Sequence, residues 1–431
     1  MIERDECTLQ TSEHKIPKQD YGGGNSIEPI KGFYKNEPID ELDVKGMYPT
    51  IAIKYNISFE TVNCRCCKDN PSARISAEVM NEINTRLQEK ALPCRTEDYW
   101  ICNLRIGSFP KVLTKLLKER EKYQSLLKQE LAKSKQQKQE LINYYEARQV
   151  AAKLLANAGY GVFARKEFEY SDYRVSEIIT GFGRLTHKKM QELGLRYGFQ
   201  TVFGFTDSIF VRHNNNSDPP NLTSSESGRK AEQNINQYLD DCHKELGVRI
   251  DHKNRFMFTI IFDKKNRYIA WSGNYADRPI LKNLDGMSRK YPKWLKKQIE
   301  KIAIHLITRP DISVTPVIQK SIEDLEYGRF EPTDMQFTEQ LDKDPNQYPN
   351  AKKVGIKTLG LKLGASKGEI VYWYESSANK EGYSTNIKDL SISKYENVLL
   401  NKIEEMLTIT GYNIGKIKML IYDNKSMVAS V

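Results

Sequence analysis

The spacing of hydrophobic and polar residues changes several times along this chain, and each change marks an element. In IDELDVKGMYPTIAI, residues 39–53, apolar residues alternate with acids as in a strand. A tight turn at Lys45-Gly46 and the start of a helix follow. The stretch from Asn56 to Cys102 breaks this rhythm and reads as an insertion or sub-domain. From Ser108 to Leu155 the pattern is helical with few breakers after Pro110, and SKQQKQELINYYEARQVAAKLL is rich in strong helix formers. One helix of that length would be unusual, so two antiparallel helices with a bend around Lys133–Gln139 are expected. Their apolar positions hold no heptad register, which argues against a coiled coil.

Residues 172–198, DYRVSEIITGFGRLTHKKMQELGLRYG, read as an amphipathic helix with Gly198 as its C-terminal cap. QTVFGFTDSIFVRH is a β-hairpin with its turn at Phe205-Thr206-Asp207, and Asn214–Gly228 is a loop by composition. A helix over Lys230–Leu246 and a strand pair over Arg255–Trp271 complete a β-α-β-like body. After Ser272 the chain turns mostly helical: Pro292–Thr308, KSIEDLEYGRF and KYENVLLNKIEEMLTITGY are helical, and GEIVYWYES is a strand. Residues 1–24 form an irregular lead-in, and no internal repeat is present.

At 431 residues the chain has room for two or three domains. Hydrophobic residues make up 39%, enough for a core, and no run of about 18 apolar residues suggests a membrane span. The N-terminal MIERDECTLQ has no apolar stretch of the secretory kind, so the protein is expected to be cytoplasmic and not secreted. The net charge of +10 favours a polyanion, and its spread fits a long binding track, with simple solubility charge as the alternative. Seven cysteines in a reducing compartment read as free thiols, and five fall between Cys64 and Cys102. Cys64 and Cys67 form C-x-x-C, and Cys94 and Cys102 could complete a zinc site. The spacing of that second pair departs from common zinc ribbons, so ordinary loop cysteines or a stray disulfide are expected ahead of zinc.

Chemistry concentrates in three segments: DVKGMYPT (43–50), RQVAAKLLANAGYG (148–161) and FGFTDSIFV (203–211). Asp43 at a strand end and Asp207 at a hairpin tip would each be ordinary turn acids alone. If their strands are neighbours, they would hold two divalent cations, with Mg²⁺ best suited. Lys153 and Asn157 share a helical face, with Arg148 nearby and Arg120 on the opposing helix. A Lys and an Arg converging from two helices make a phosphate clamp. Tyr48 beside Pro49 could exclude a sugar 2′-hydroxyl, although a core tyrosine is the commoner fate. Lys264, Lys265 and Arg267 beside Tyr268 form a basic knot suited to a phosphate backbone, or simply a charged turn.

Together these segments resemble the family B (α-like) DNA polymerases. DVKGMYPT is similar to the family's first palm motif D-x-x-S-L-Y-P-S. KLLANAGYG is similar to its fingers motif K-x-x-x-N-S-x-Y-G, and FGFTDS to its second palm motif Y-G-D-T-D-S. YGGGNSIEPIKGFY, FPKVLTKLLKEREK, DKKNRY, LEYGRF, KKVGIKTLG and KYENVLLNKIEEML extend the resemblance from about Tyr21 onward. It implies an α+β right-hand core with an antiparallel-sheet palm, helical-hairpin fingers and a mixed helical thumb. The expected division is a leader at 1–20, palm at 21–107 with a Cys-bearing insertion at about 56–102, fingers at 108–161, palm again at 162–290 and thumb at 291–431.

The implied activity is template-directed addition of dNTPs to a primer 3′-hydroxyl with two Mg²⁺ ions, Mn²⁺ being an expected substitute. Asp43 and Asp207 would be the catalytic metal ligands. Arg120, Lys153, Asn157, Tyr48, Met47, Arg148 and Tyr160 would contact the nucleotide, and Thr206, Lys264, Lys265, Arg267 and Tyr268 the DNA. Phe205 stands where the family has the first Asp of D-T-D, which is not usually a direct metal ligand, so activity is still expected, with lower activity or altered metal preference as the alternative; Gly46 and Ala158 replace serines. With only a short leader before residue 21, the chain is expected to lack proofreading. The remaining readings are a weakened polymerase-like DNA-binding or scaffold subunit, a template-independent nucleotidyltransferase, and the C-terminal half of a split polymerase with a separate exonuclease-bearing partner. Primer–template DNA, dNTP and a sliding clamp are expected partners, a membrane is not, and a nucleoid-associated or viral or plasmid-encoded setting fits.

Overall fold

The computed structural model describes residues 20–24, 26–133, 138–165, 167–213, 224–348, 354–378, 380 and 382–428. Most of the expected lead-in with Cys7, the centre of the expected helical bend and the first part of the expected loop at 214–228 lie outside the described residues. The chain divides into two compact units. One comprises Met1–Ile27 and Glu41–Lys253, the other Glu28–Asp40 and Asn254–Val431.

The first unit contains β1 (Ser26–Ile27), the end of β2 (Gly32–Val44), α1 (Met47–Lys54), α2 (Ala77–Glu89), α3 (Ser108–Leu131) and α4 (Gln139–Val162). After these come α5 (Tyr173–Arg196), β3 (Phe199–Phe205), β4 (Ser208–His213), α6 (Ser224–Asp241) and the start of β5 (Ile250–Ile261). β3 lies between β1 and β4, and β4 lies beside β2. The β3–β4 hairpin pairs Phe205 with Ser208 and Gly204 with Ile209, and the register shifts between Thr201 and Phe203. Val202, Phe203, Ile209, Phe210 and Val211 are all buried, so the hairpin is covered on both faces and reads as a continuous apolar run.

The long helical stretch folds into two antiparallel helices. Tyr123 of α3 meets Tyr144 and Tyr145 of α4 with ring centroids 5.9 and 6.2 Å apart, and Phe109 at the start of α3 meets Phe163, just beyond α4, at 4.8 Å. At the distal end the Lys138 N–H donates to the Glu130 carboxylate at 2.9 Å. The stretch from Asn56 to Cys102 does not form a sub-domain of its own. Val79, Ile83 and Leu87 of α2 share one core with Ile57, Val62, Tyr99 and Ile101, and with Val175, Ile178 and Ile179 of α5. The amphipathic expectation for α5 holds only toward its C-terminus. Residues from Val175 to Arg184 are buried around the whole helix, Glu177 included, because α1, α2 and α4 pack on different sides of it.

In the second unit the remainder of β5 lies beside β2 and β6 (Tyr268–Trp271), which in turn pairs with β7 (Ile280–Lys282). Phe258 faces Trp271 and Ile261 faces Tyr268. The buried Asp40 accepts from Arg255 at 2.7 and 3.2 Å. The chain continues through α7 (Lys293–Thr308), α8 (Thr315–Glu326), β8 (Phe337–Gln340), α9 (Val354–Leu363), β9 (Ile370–Glu375), β10 (Tyr383–Ser384), α10 (Ile392–Ile409) and α11 (Ile414–Val428). α7, α8, α10 and α11 bury one core that includes Trp294, Ile302, Ile318, Leu399 and Ile403. β10, β9 and β8 form a second antiparallel sheet.

Glu177 tests how the first core tolerates charge. Its carboxylate is fully buried and accepts from Arg95 at 2.9 and 3.0 Å and from the Tyr99 hydroxyl at 2.7 Å. Removing Arg95 leaves that charge without its ion-pair partner. Arg95→Ala is expected to lower unfolding stability by about 3 kcal/mol in urea titration, whereas the double variant with Glu177→Gln recovers a large part of the loss.

Candidate active site

β2 ends where the backbone is tied in two places. The Val44 N–H donates to the Asp207 carbonyl at 2.7 Å, and the Lys45 N–H to the Arg249 carbonyl at 2.9 Å. Gly46 then takes φ 57°, a left-handed conformation that starts α1 without the Cβ penalty other residues carry. Asp207 lies in the two-residue turn between β3 and β4, where its own N–H donates to the Phe205 carbonyl at 2.8 Å and Thr206 has φ 60°. A β-branched residue in that region is strained, and the surrounding sheet must hold it there. Asp43, one residue before the tie, therefore stands beside Asp207. Lys253 on β5 pairs with Asp43 at 2.8 Å. Burial, then the charge of Asp43, push the Asp207 carboxyl above its usual range, while Lys253 and Lys153 act in the opposite sense.

The helices close around this pair. Tyr48, in the first turn of α1, is 6% exposed, and its ring centroid lies 4.5 Å from that of Tyr160 on α4. A Cβ on Gly24 would come within 2.6 Å of the Tyr48 hydroxyl, so only glycine leaves that ring its room. Met47 beside it is buried in the core. On α4, Asn157 and Tyr160 follow Lys153 by four and seven positions, about 40° and 20° around the helix, so the three share one face. Lys153 is exposed and has no ion-pair partner among the described residues. The Arg120 Nε on α3 is buried without a hydrogen-bond partner among them, a donor awaiting an acceptor. Arg148 is about 140° around α4 from Lys153. Its guanidinium lies over the Tyr123 ring at 5.2 Å and braces the helical hairpin instead of facing the carboxylates.

The profile of DNA polymerase family B matches residues 2–376. The chain belongs to DNA polymerase family B. It is 27% identical over 378 residues to the DNA polymerase alpha catalytic subunit of Xenopus laevis, covering 84% of this chain and 23% of that protein. It is 24% identical over 437 residues to DNA polymerase 1 of Aeropyrum pernix, covering 95% of this chain and 40% of that one. Among solved structures it resembles the family B DNA polymerase of Pyrobaculum calidifontis, with a TM-score of 0.59 and 19% identity over 91% of this chain and 48% of that one. The mixed fold of helices and antiparallel sheets is thus one that family B chains share. This chain spans less than half the length of these relatives.

The other candidate residues of this family B chain divide by burial. Thr206 lies in the strained turn beside Asp207. Lys264 is exposed, and Lys265 is paired with Glu28 at 2.7 Å. Arg267 and Tyr268 are corrections to the expected DNA contacts. Arg267 is 7% exposed, pairs with Glu405 at 3.0 Å and lies over the Phe262 ring at 4.6 Å, while Tyr268 is buried in β6. A strand that enters the core at Arg267 leaves only the two lysines to present charge outward. Phe205 is 38% exposed at the end of β3, where it pairs with Ser26 and Ser208.

The expected cysteine set is also corrected. Cys94 is exposed and accepts from the Gln88 amide, whereas Cys66 joins Cys64, Cys67 and Cys102. The reason is the single turn of 3-10 helix at Arg65–Cys67, which brings three sulfurs to one side. No helix among the described residues is long and apolar enough to cross a membrane.

Lys253 and Arg184 were not legible as site residues. Arg184 is 4% exposed, contributes to the electrostatic environment of Tyr48 and donates to the Gly23 carbonyl. Lys253 becomes relevant only because β5 runs beside β2.

The raised Asp207 carboxyl has a consequence for stability. Its folded pKa lies above the unfolded value near 3.9, so stability is lost as pH rises through that interval and stays lower above it. In metal-free buffer at pH 7, Asp207→Asn is expected to melt on the order of 2 °C above the wild type, the gap closing as pH falls toward about 4. An equal or lower melting point at pH 7 would contradict the assigned electrostatics.

Proposed function

We propose that this chain is a template-directed DNA polymerase that adds dNTPs to a primer 3′-hydroxyl. The observation that carries the reading is the pairing of Asp43 with Asp207 through the Val44–Asp207 backbone bond, in a chain of DNA polymerase family B. In this reading β1–β5 and α5 serve as palm, the α3–α4 hairpin as fingers and the helical C-terminal part as thumb.

The donor set suits divalent magnesium: two half-buried carboxylates side by side, one raised by burial and then by the other's charge, are relieved by a hard cation with oxygen preference. Bound there, two Mg²⁺ ions would lower the barrier by activating the attacking hydroxyl and stabilising the leaving pyrophosphate. Asp43 and Asp207 would hold them, Lys253 releasing Asp43 on loading. Lys153 and Arg120 would clamp the triphosphate, charge meeting charge, with the Arg120 Nε finding the acceptor it lacks. Asn157 and Tyr160 would border the incoming base pair, and Tyr48 would close the space beside the sugar. Thr206 would lie along the primer end, and Lys264 and Lys265 would meet the strand's phosphates. Closure of the hairpin on a matched nucleotide would align these groups.

Primer extension on a primed DNA template with Mg²⁺ and dNTPs tests the reading. Wild type is expected to extend. Asp43→Ala and Asp207→Ala should lose at least about a thousandfold in rate, Lys153→Ala about 10²–10³-fold, and Arg148→Ala far less. Because Phe205 stands exposed beside Asp207, a DNA-binding subunit without catalysis is the second reading. Template binding by wild type with no extension in Mg²⁺ or Mn²⁺ would favour it.

A further inference from the structure

Four cysteine sulfurs meet in one place. The Cys66 Sγ lies 3.5 Å from that of Cys64, 3.8 Å from that of Cys67 and 3.6 Å from that of Cys102. Cys67 and Cys102 are 3.9 Å apart, and all four lie within 4.8 Å of one another. These separations are too long for any disulfide, whose sulfurs stand about 2.05 Å apart. They match the edge of a tetrahedron around one ion: a Zn–S bond of about 2.3 Å gives sulfurs about 3.8 Å apart. An iron–sulfur cluster, which places inorganic sulfide between its irons, needs its thiolates farther apart.

Backbone donors also hold two of the sulfurs in place. The backbone N–H groups of Leu104 and Arg105 are aimed at the Cys102 sulfur, and that of Cys67 at the Cys64 sulfur. Such donors orient metal ligands. Three of the four cysteines are buried while Cys66 is exposed, which leaves an entry path for an ion. The geometry is prepared by the protein itself. The Cys64 carbonyl accepts from the Trp100 indole at 2.8 Å, and isolated bridges join Val62 to Ile101 and Arg74 to Trp100.

We propose that Cys64, Cys66, Cys67 and Cys102 bind one structural Zn²⁺. The site lies apart from the carboxylates and braces the start of α3. Asn56 donates to the Cys102 carbonyl at 2.8 Å and to the Arg105 carbonyl at 2.6 Å, and accepts from the Gly107 N–H, at the α3 N-terminus, at 2.8 Å. Fixing Cys102 thus fixes the root of the helix that carries Arg120.

The test is metal analysis of the full chain, produced with added zinc and purified under reducing conditions. About one zinc per chain is expected in wild type and in Cys94→Ser, falling to below about one-tenth in Cys66→Ser and Cys102→Ser. Cys66 is exposed, so circular dichroism of Cys66→Ser should remain that of a folded chain. Independently of any variant, mercurial titration of the native thiols should release zinc in step with modification, and Co²⁺ exchanged into the site should show the absorption of a tetrahedral thiolate complex. Wild type holding under about one-tenth equivalent would overturn the proposal, as would Cys66→Ser and Cys102→Ser keeping full zinc. Loss of zinc from Cys94→Ser, a disulfide by mass under those conditions, or iron in place of zinc would also overturn it.

Discussion

The hydrogen bond from the Val44 N–H to the Asp207 carbonyl ties the end of one strand to the turn of a hairpin that comes far later in the chain. By itself such a bond contributes only about 1 kcal/mol. It nevertheless sets the distance between two carboxylates that electrostatics would drive apart. The surrounding sheet supplies the constraint, because β3 and β4 are buried on both faces and cannot relax the turn without exposing apolar residues. Lys253 offsets part of the repulsion, and the remainder is carried in the raised Asp207 carboxyl and the strained Thr206. The carboxylate pair is therefore a less stable part of the structure than the sheet around it.

Helices in the same unit differ in how firmly they are held. The N-terminal half of α5 is enclosed on every side and buries an ionised network around Glu177. Few residues of α3 and α4 are buried, among them Leu113, Ile142, Ala152 and Ala156. Their mutual contact depends on half-buried and exposed tyrosines and on Arg148 as much as on apolar packing. An element with little buried area moves at small cost, which suits the closing role proposed for the hairpin. The cysteine cluster lies at its base, where Asn56 joins Cys102 to the α3 N-terminus.

The elements were largely legible because each depends on local rules. Alternation ending in Lys45-Gly46, a hairpin around Thr206-Asp207 and a helix capped near Gly198 all follow from backbone preferences of adjacent residues. The reading of Asn56–Cys102 as a sub-domain failed because its irregular loops conceal an amphipathic α2 whose apolar face enters the main core. The outward placement of Arg267 failed because a charge in sequence carries no sign of burial, and this one finds Glu405 inside the second unit.

By itself the sequence determined which residue types stood ready: two acids at strand ends, a basic helix face running into small residues, and clustered thiols. Only the tertiary structure decided partners. It set Lys253 against Asp43, turned Arg148 onto Tyr123, and exchanged Cys94 for Cys66. The division has a physical cause. Secondary structure is set by short-range sterics and hydrogen bonding along the backbone, whereas ion pairs, metal ligands and pKa values depend on which distant segments are desolvated together. That choice is made by the packing of the whole core.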